Sequence, residues 1–276
     1  MTNHVISRVK KGIYPDHFGL ANQLFQIATV CAYAKRNGLV AAFPDLRNTE
    51  RNGPYLETVF RNVDTGHDDR VAFCMNEGRV YYEPTFKYTE IPAGMSDFLV
   101  DGYFQSEQYF SDCSGDIREM FAVDPDTKEK ILEKTKGVSE WATLHIRRGD
   151  YSNFPDVFVD LCSTDYYKNA LSHVESSIVY IVTNDVEWSK EWVSENLAET
   201  GFEFRWTDEN EIFDLYLMSM AKECIIANSS FSWWGSWLGE NKKTIAPRNW
   251  FCEEHREYTA SDIYHSNCTI INTDIE

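Results

Sequence analysis

The densest chemistry in this sequence is the run His145-Ile146-Arg147-Arg148-Gly149-Asp150. Trp141–Ile146 reads as a β-strand, so side chains alternate across a sheet and the two arginines should diverge rather than act as one patch. One arginine can then face a ligand while the other packs or pairs with a carboxylate. A guanidinium fork matches a pair of phosphate oxygens, and a fixed positive charge there stabilises a departing diphosphate as negative charge builds on it. Gly149 permits a sharp exit from the strand. On the residues alone the alternative is an arginine pair at a sheet edge held in structural salt bridges, and both readings stay open.

The surrounding composition makes that pair stand out. Lys and Arg number 26 against 44 Asp and Glu, a net charge of −18. Such a chain repels nucleic-acid backbones and anionic membrane surfaces, so nucleic acid is not an expected partner. An acidic protein that binds an anionic ligand must concentrate its cations locally, and Arg147-Arg148 is the cluster that does so. The seven cysteines are scattered, odd in number and without a C-x-x-C pair, which argues against a zinc site or a disulfide framework. The opening MTNHVISRVKKG lacks the apolar core of a signal peptide, and no window approaches the roughly 18 apolar residues of a membrane span. The expectation is a cytoplasmic protein with reduced thiols, in which the glycosylation sequons at Asn228 and Asn267 are chance matches.

These residues must be positioned by regular elements. At 276 residues the chain fits two closely packed half-size domains. His4–Val9 alternates like a strand. Leu20–Arg36 carries apolar residues at helical spacing, with Gly38 as its stop, and Leu39–Phe43 reads as a second strand. From Asn48 to Gly94 the signals weaken, and Phe98–Phe104 is a further strand. The second half is more regular: strands Trp141–Ile146, Ile178–Thr183, Phe202–Trp206, Cys224–Ala227 and Thr244–Ala246 alternate with helices Thr164–Glu175, Val186–Leu197, Glu211–Lys222 and Phe231–Glu240. That alternation predicts a parallel, doubly wound α/β sheet. The domain connection falls near Lys136–Glu140, dividing the chain into 1–137 and 138–276.

In doubly wound sheets ligands bind beyond the carboxyl ends of the strands. That rule selects Arg147–Asp150, Asn184-Asp185, Thr207-Asp208, Asn228–Ser232 and Pro247-Arg248 without reference to their chemistry. They are rich in donors suited to a phosphate or nucleotide.

HIRRGDY resembles the H-x-R-R-x-D motif of the α1,2-, α1,6- and protein O-fucosyltransferases. Four further blocks resemble, in order, the α1,2-fucosyltransferases of glycosyltransferase family 11: Gly19–Gln26 (GLANQLFQ), Gly102–Phe110 (GYFQSEQYF), Ile181–Trp188 (IVTNDVEW) and Asp214–Leu238 (DLYLMSMAKECIIANSSFSWWGSWL). The resemblance spans nearly the whole chain. Two positions depart from it: Ala21 stands where the first block has a second glycine, and Asn184-Asp185 stands where paired aspartates are common.

The resemblance implies a GT-B fold, two Rossmann-like domains facing a cleft, with GDP-fucose held chiefly by the C-terminal one. It implies Arg148 as the diphosphate-stabilising arginine, with Arg147 and His145 beside the donor. Asp150 and Asp185 fall among the donor-binding positions. It also implies Asp214 as the carboxylate that reads guanine, whose N1–H and exocyclic amine a carboxylate can accept together. The alternative for Asp214 is an exposed helix charge. Ser230, Phe231 and Ser232 start a helix after a strand, where hydroxyls and free N–H groups favour phosphate, or where the serines simply cap. Trp233, Trp234 and Trp237, at helical spacing, read as core rather than as sugar-stacking rings. Asn22 and Gln23 are implied contacts to the diphosphate or the acceptor, although a polar helix start explains them equally well.

The implied reaction is inverting transfer of L-fucose from GDP-β-L-fucose to the 2-hydroxyl of a galactose, terminal and β-linked, in a glycan acceptor. The transition state is oxocarbenium-like, and no metal or other cofactor is expected. Asp16, His17 and Glu107 are base candidates by position alone, each with a structural alternative. Asp124-Pro125-Asp126 matches the D-x-D pattern of metal-dependent transferases, but Asp and Pro also start helices. A carbohydrate-binding protein without turnover is a competing class that leaves His145, Arg147, Arg148 and Asp214 unexplained. For a glycoside hydrolase, no carboxylate spacing singles out a pair.

Overall fold

A computed structural model describes residues 3–9, 19–47, 49–65, 71–149, 151, 154–240, 243–252 and 260–273. The chain divides into two compact units, one of residues 1–124 with 261–263, the other of 125–260 with 264–276. The division falls after Asp124 rather than near 137. The reason is the helix Pro125–Lys134, which buries Thr127 and Ile131 and packs within the second unit. Asp124-Pro125-Asp126 is thus a helix start.

In the first unit the described elements run β1 (His4–Ser7), α1 (Leu20–Asn37), β2 (Val40–Ala42), α2 (Thr49–Leu56), α3 (Val71–Asn76), β3 (Val80–Tyr82), β4 (Phe98–Asp101) and α4 (Ser114–Met120). The strands form a parallel sheet in the order β2-β1-β4-β3. Helix α1 ends where the sequence placed its stop, with Gly38 left-handed at φ 63° and its N–H on the Ala34 carbonyl. Strand β3 and helices α2 and α3 lie in the stretch where sequence signals weaken. None of the three residues of β3 is buried, so no apolar pattern marks it.

The second unit opens with α5 (Pro125–Lys134) and continues β5 (Ala142–Ile146), α6 (Tyr166–Leu171), β6 (Ile178–Thr183), α7 (Val186–Asn196), β7 (Glu203–Trp206), α8 (Glu211–Met220), β8 (Glu223–Ile225), α9 (Ser230–Trp237), β9 (Lys243–Pro247) and β10 (Cys268–Ile271). All strands are parallel, in the order β10-β9-β8-β5-β6-β7. Counted within the unit this is the dinucleotide-binding order, and the direction of winding reverses between β5 and β8. Strands β5 and β8 are buried throughout, as expected for a parallel sheet covered on both faces. Ala142, Leu144 and Ile146 point into one apolar core with Tyr166, Tyr167 and Val193, so Thr143 and His145 point to the other face. Side-chain caps start the helices that follow: Asp185 on α7, Asn210 on α8 and Ser229 on α9. Among the described residues no helix is long and apolar enough to cross a membrane.

Candidate functional site

The reversal point between β5 and β8 is where a doubly wound sheet opens a crevice at its carboxyl edge. The residues leaving β5 there are Arg147, Arg148 and Gly149, and those leaving β8 are Ile226 to Ser230. Among the described residues, two contacts join the two exits. Tyr151 donates its hydroxyl to the Asn228 carbonyl at 2.9 Å, and the His145 ring lies 5.6 Å from that of Phe231.

The arginines diverge as strand alternation requires. Arg148 turns towards α7, where its guanidinium sits 3.9 Å from the centre of the Trp188 ring. Such a cation–π contact is worth about 0.5–2 kcal/mol and holds the fork in one plane. Trp188 itself lies against Trp192, 6.1 Å between centroids and nearly parallel. The Nε of Arg148 is buried and has no hydrogen-bond partner among the described residues, a donor that an anionic ligand would satisfy. Arg147 turns the other way, 5.1 Å from the Tyr151 ring and so on the β8 side of the crevice.

Gly149 and Asn184 make the turn between them. Gly149 has φ +67°, and a Cβ there would run into the Asn184 side-chain nitrogen. Asn184 Oδ1 in turn accepts the Arg148 N–H at 3.0 Å. The strand-end rule had selected Asn184, but its contact with the arginine backbone shows only when β5 and β6 are paired. The place of Trp188 beneath Arg148 likewise follows only from the fold.

His145 is buried, and that burial, with Arg147 nearby, holds its imidazole down to about 3. It is neutral at working pH and contributes hydrogen bonding rather than charge. Its Nδ1 has no partner among the described residues.

Asp214, in the first turn of α8, is buried, not an exposed helix charge. Thr207, just past β7, donates its hydroxyl to Asp214 Oδ1 at 2.6 Å. Burial pushes the carboxyl up to about 7, the Thr207 bond opposes it, and Glu209 and Glu211 add to the rise. Such a group is poised to lose its proton when a ligand offers N–H donors.

Ser230 and Phe231 form the half-buried first turn of α9, whose N–H groups face the carboxyl end of the sheet. Ser232 is wholly buried, and its hydroxyl bonds the backbone of Ala227 and Ser229. It therefore shapes the β8–α9 turn from behind. Asp185 spends its carboxylate on the Trp188 N–H as the α7 cap. Trp233, Trp234 and Trp237 are buried core. Asn228 is buried with its amide on the Val159 and Trp250 carbonyls, so its sequon is not available to a modifying enzyme. Asp150, Asp16 and His17 lie outside the described residues. Among the described residues no cluster of His, Cys, Asp and Glu could hold a metal ion.

In the first unit Asn22 and Gln23 open α1 beside the end of β1. Asn22 Oδ1 accepts Gln105 Nε2 at 2.8 Å, and Gln23 is buried with its amide nitrogen unpartnered among the described residues. Glu107 starts a short 3₁₀ turn capped by Ser106.

A parallel sheet wound in dinucleotide-binding order, with a second parallel α/β unit before it, defines an α/β fold of the GT-B kind. The chain belongs to glycosyl transferase family 11, whose sequence profile it matches over residues 14–272. It is 35% identical over 175 residues to an α-1,2-colitosyltransferase of Escherichia coli, covering 58% of each chain. It is 23% identical over 236 residues to the galactoside 2-α-L-fucosyltransferase Sec1 of Mus musculus, covering 79% of this chain and 62% of that one. The chain thus spans about six-tenths of the length of these relatives. Among solved structures it resembles the NodZ α-1,6-fucosyltransferase soaked with GDP-fucose, with a TM-score of 0.48 and 13% identity over 87% of this chain and 93% of that one.

Proposed function

We propose that this protein is an inverting α-1,2-fucosyltransferase that moves L-fucose from GDP-β-L-fucose to the 2-hydroxyl of a terminal β-galactoside, without a metal. The observation that carries the reading is that Arg148, its buried Nε unpartnered among the described residues and its guanidinium held over Trp188, leaves β5 at the β5/β8 reversal point of a family 11 chain, where Arg147 and the start of α9 also leave the sheet. The acceptor hydroxyl attacks the anomeric carbon from the face opposite GDP, the C–O bond to the diphosphate breaks with its electron pair leaving on GDP, the hydroxyl proton passes to water, and the configuration inverts. As negative charge grows on the leaving diphosphate, Arg148 donates to it with its guanidinium held by Trp188, Arg147 supports it from the β8 side, and the α9 N–H groups add a fixed dipole. His145 serves as a neutral hydrogen-bonding neighbour. Asp214 binds the guanine edge in its ionised form, pinned by Thr207.

A second donor is favoured by the 35% identity to a colitosyltransferase. Colitose is fucose without its 3-hydroxyl, so the same guanine and diphosphate contacts serve both sugars. One experiment tests the reading: incubation with GDP-fucose and with GDP-colitose against a panel of β-galactosides, followed by linkage analysis. An α-1,2-fucosylated galactoside is the expected product. Colitosyl transfer alone would change the donor, and no transfer from either would overturn the function.

A further inference from the structure

We propose that Asn228 is a positioning residue of the site at the β5/β8 reversal point: it ties together the loops that leave β5, β8 and β9 and so holds Arg147 and the start of α9 at a fixed separation. What these two features act on rests on the transferase reading above; the tie itself rests on the following geometry.

Strands β9, β8 and β5 are neighbours in the sheet, so the loops leaving their carboxyl ends run side by side. Asn228 belongs to the middle loop and is buried. Its side-chain amide donates to the Val159 carbonyl of the β5 loop at 3.0 Å and to the Trp250 carbonyl of the β9 loop at 2.9 Å. Its own carbonyl accepts the Tyr151 hydroxyl at 2.9 Å. The outer loops also meet each other: Phe158 and Phe251 form an antiparallel bridge, and Cys252 donates its N–H to the Val157 carbonyl at 2.9 Å. Two carbonyls converging on one position require two donors on one short side chain. Asparagine supplies them, whereas an aspartate only accepts and a serine donates once.

Arg147 is reached through a ladder of rings. Phe251 lies 5.6 Å from Phe158, Phe158 stacks on Tyr151 at 4.0 Å with planes 15° apart, and the Arg147 guanidinium sits 5.1 Å from the centre of the Tyr151 ring. The Tyr151 ring is thus fixed by its hydroxyl and by its stacking partner, both of which lead back to Asn228. On the other side the next residue, Ser229, caps α9 by accepting the Phe231 N–H. One buried side chain therefore sets both the arginine and the helix start, and a buried polar network with its donors and acceptors paired rigidifies what it joins.

The test combines kinetics with amide hydrogen exchange on the whole protein. Tyr151→Phe keeps the ring and loses the bond to Asn228; in transfer from GDP-fucose to methyl β-galactoside it should lower kcat about tenfold with the KM for the acceptor unchanged. In an Arg147→Ala background the same change should cost less than about twofold, because Tyr151 acts through that arginine. Equal losses in the two backgrounds, or no loss in either, would overturn the positioning role. Asn228→Ala strands two buried carbonyls and should speed exchange of the Cys252 and Phe231 N–H groups together by about tenfold. Asn228→Ser, which keeps one donor, replaces it should a melting curve show that the alanine variant does not fold. Exchange as slow as in the wild type at both groups would overturn the tie. Failure of the transferase reading would show separately, as a wild type that neither binds GDP nor transfers from a GDP-sugar, and the exchange result then decides the tie alone.

Discussion

At the scale of single residues, the proposed chemistry rests on Arg147, Arg148 and Asp214. Arg147→Ala and Arg148→Ala should each lower transfer by about a hundredfold or more, with little change in melting temperature, because each removes charge from the leaving group and little from the core. Either variant with wild-type turnover would remove that arginine from the site. Asp214 offers a prediction in pH. Its carboxyl is raised to about 7 by burial, so the protonated form is favoured in the folded state without ligand. The stability this contributes is full below the ordinary carboxylate range and is lost as pH rises through about 7. Guanine needs the ionised form, because its N1–H and amine are both donors. GDP binding should therefore release a proton near neutral pH and weaken as pH falls below about 7. Calorimetry in buffers of different ionisation enthalpy reads the proton directly. Asp214→Asn should bind GDP more weakly and with no proton release, and a wild type with buffer-independent enthalpy would remove Asp214 from the guanine role.

At the scale of elements, the arginine-bearing turn is held by its neighbour strand. Asn184, leaving β6, accepts the Arg148 N–H and packs against Gly149 in its left-handed conformation. Asn184→Asp keeps the acceptor oxygen and should stay within a few-fold of wild-type turnover. Asn184→Ala should lose about tenfold, the worth of one backbone hydrogen bond that orients a catalytic group. Gly149→Ala meets both the Asn184 side chain and a backbone cost of about 1–2 kcal/mol, and should cut kcat more than it raises the KM for GDP-fucose. Equal kinetics in Gly149→Ala and wild type would show that the turn does not position the arginine. The helix that follows, α7, contributes through Trp188 rather than through the charge of Asp185, whose carboxylate is occupied in capping.

At the scale of the whole molecule, with 44 acidic against 26 basic side chains, the proposed diphosphate site depends on the cations gathered at one strand end, Arg147 and Arg148. If those arginines and the α9 start supply the neutralising charge, EDTA should leave turnover unchanged; loss in EDTA restored by manganese would move the charge to a metal. The alternation of strands and helices from β5 to β9, the Gly38 stop and length of α1, and the strand from Ile178 to Thr183 were readable in the sequence, because period and turn chemistry are local properties. Divergence of Arg147 from Arg148 was readable too, since alternation along a strand follows from its geometry. The edge strand β3 was not, since none of its three residues is buried and no apolar pattern marks it. Nor was the placement of α5 with the second unit, the burial of Asp214, the diversion of Ser232 and Asp185 to backbone work, or the stacking of Arg148 on Trp188. Each of these depends on which surface an element meets across tens of residues of chain. By itself the sequence determined what chemistry was available and where each strand would release it; the tertiary structure decided which of those groups remain free to act, because burial and long-range partners set both protonation and hydrogen-bonding capacity.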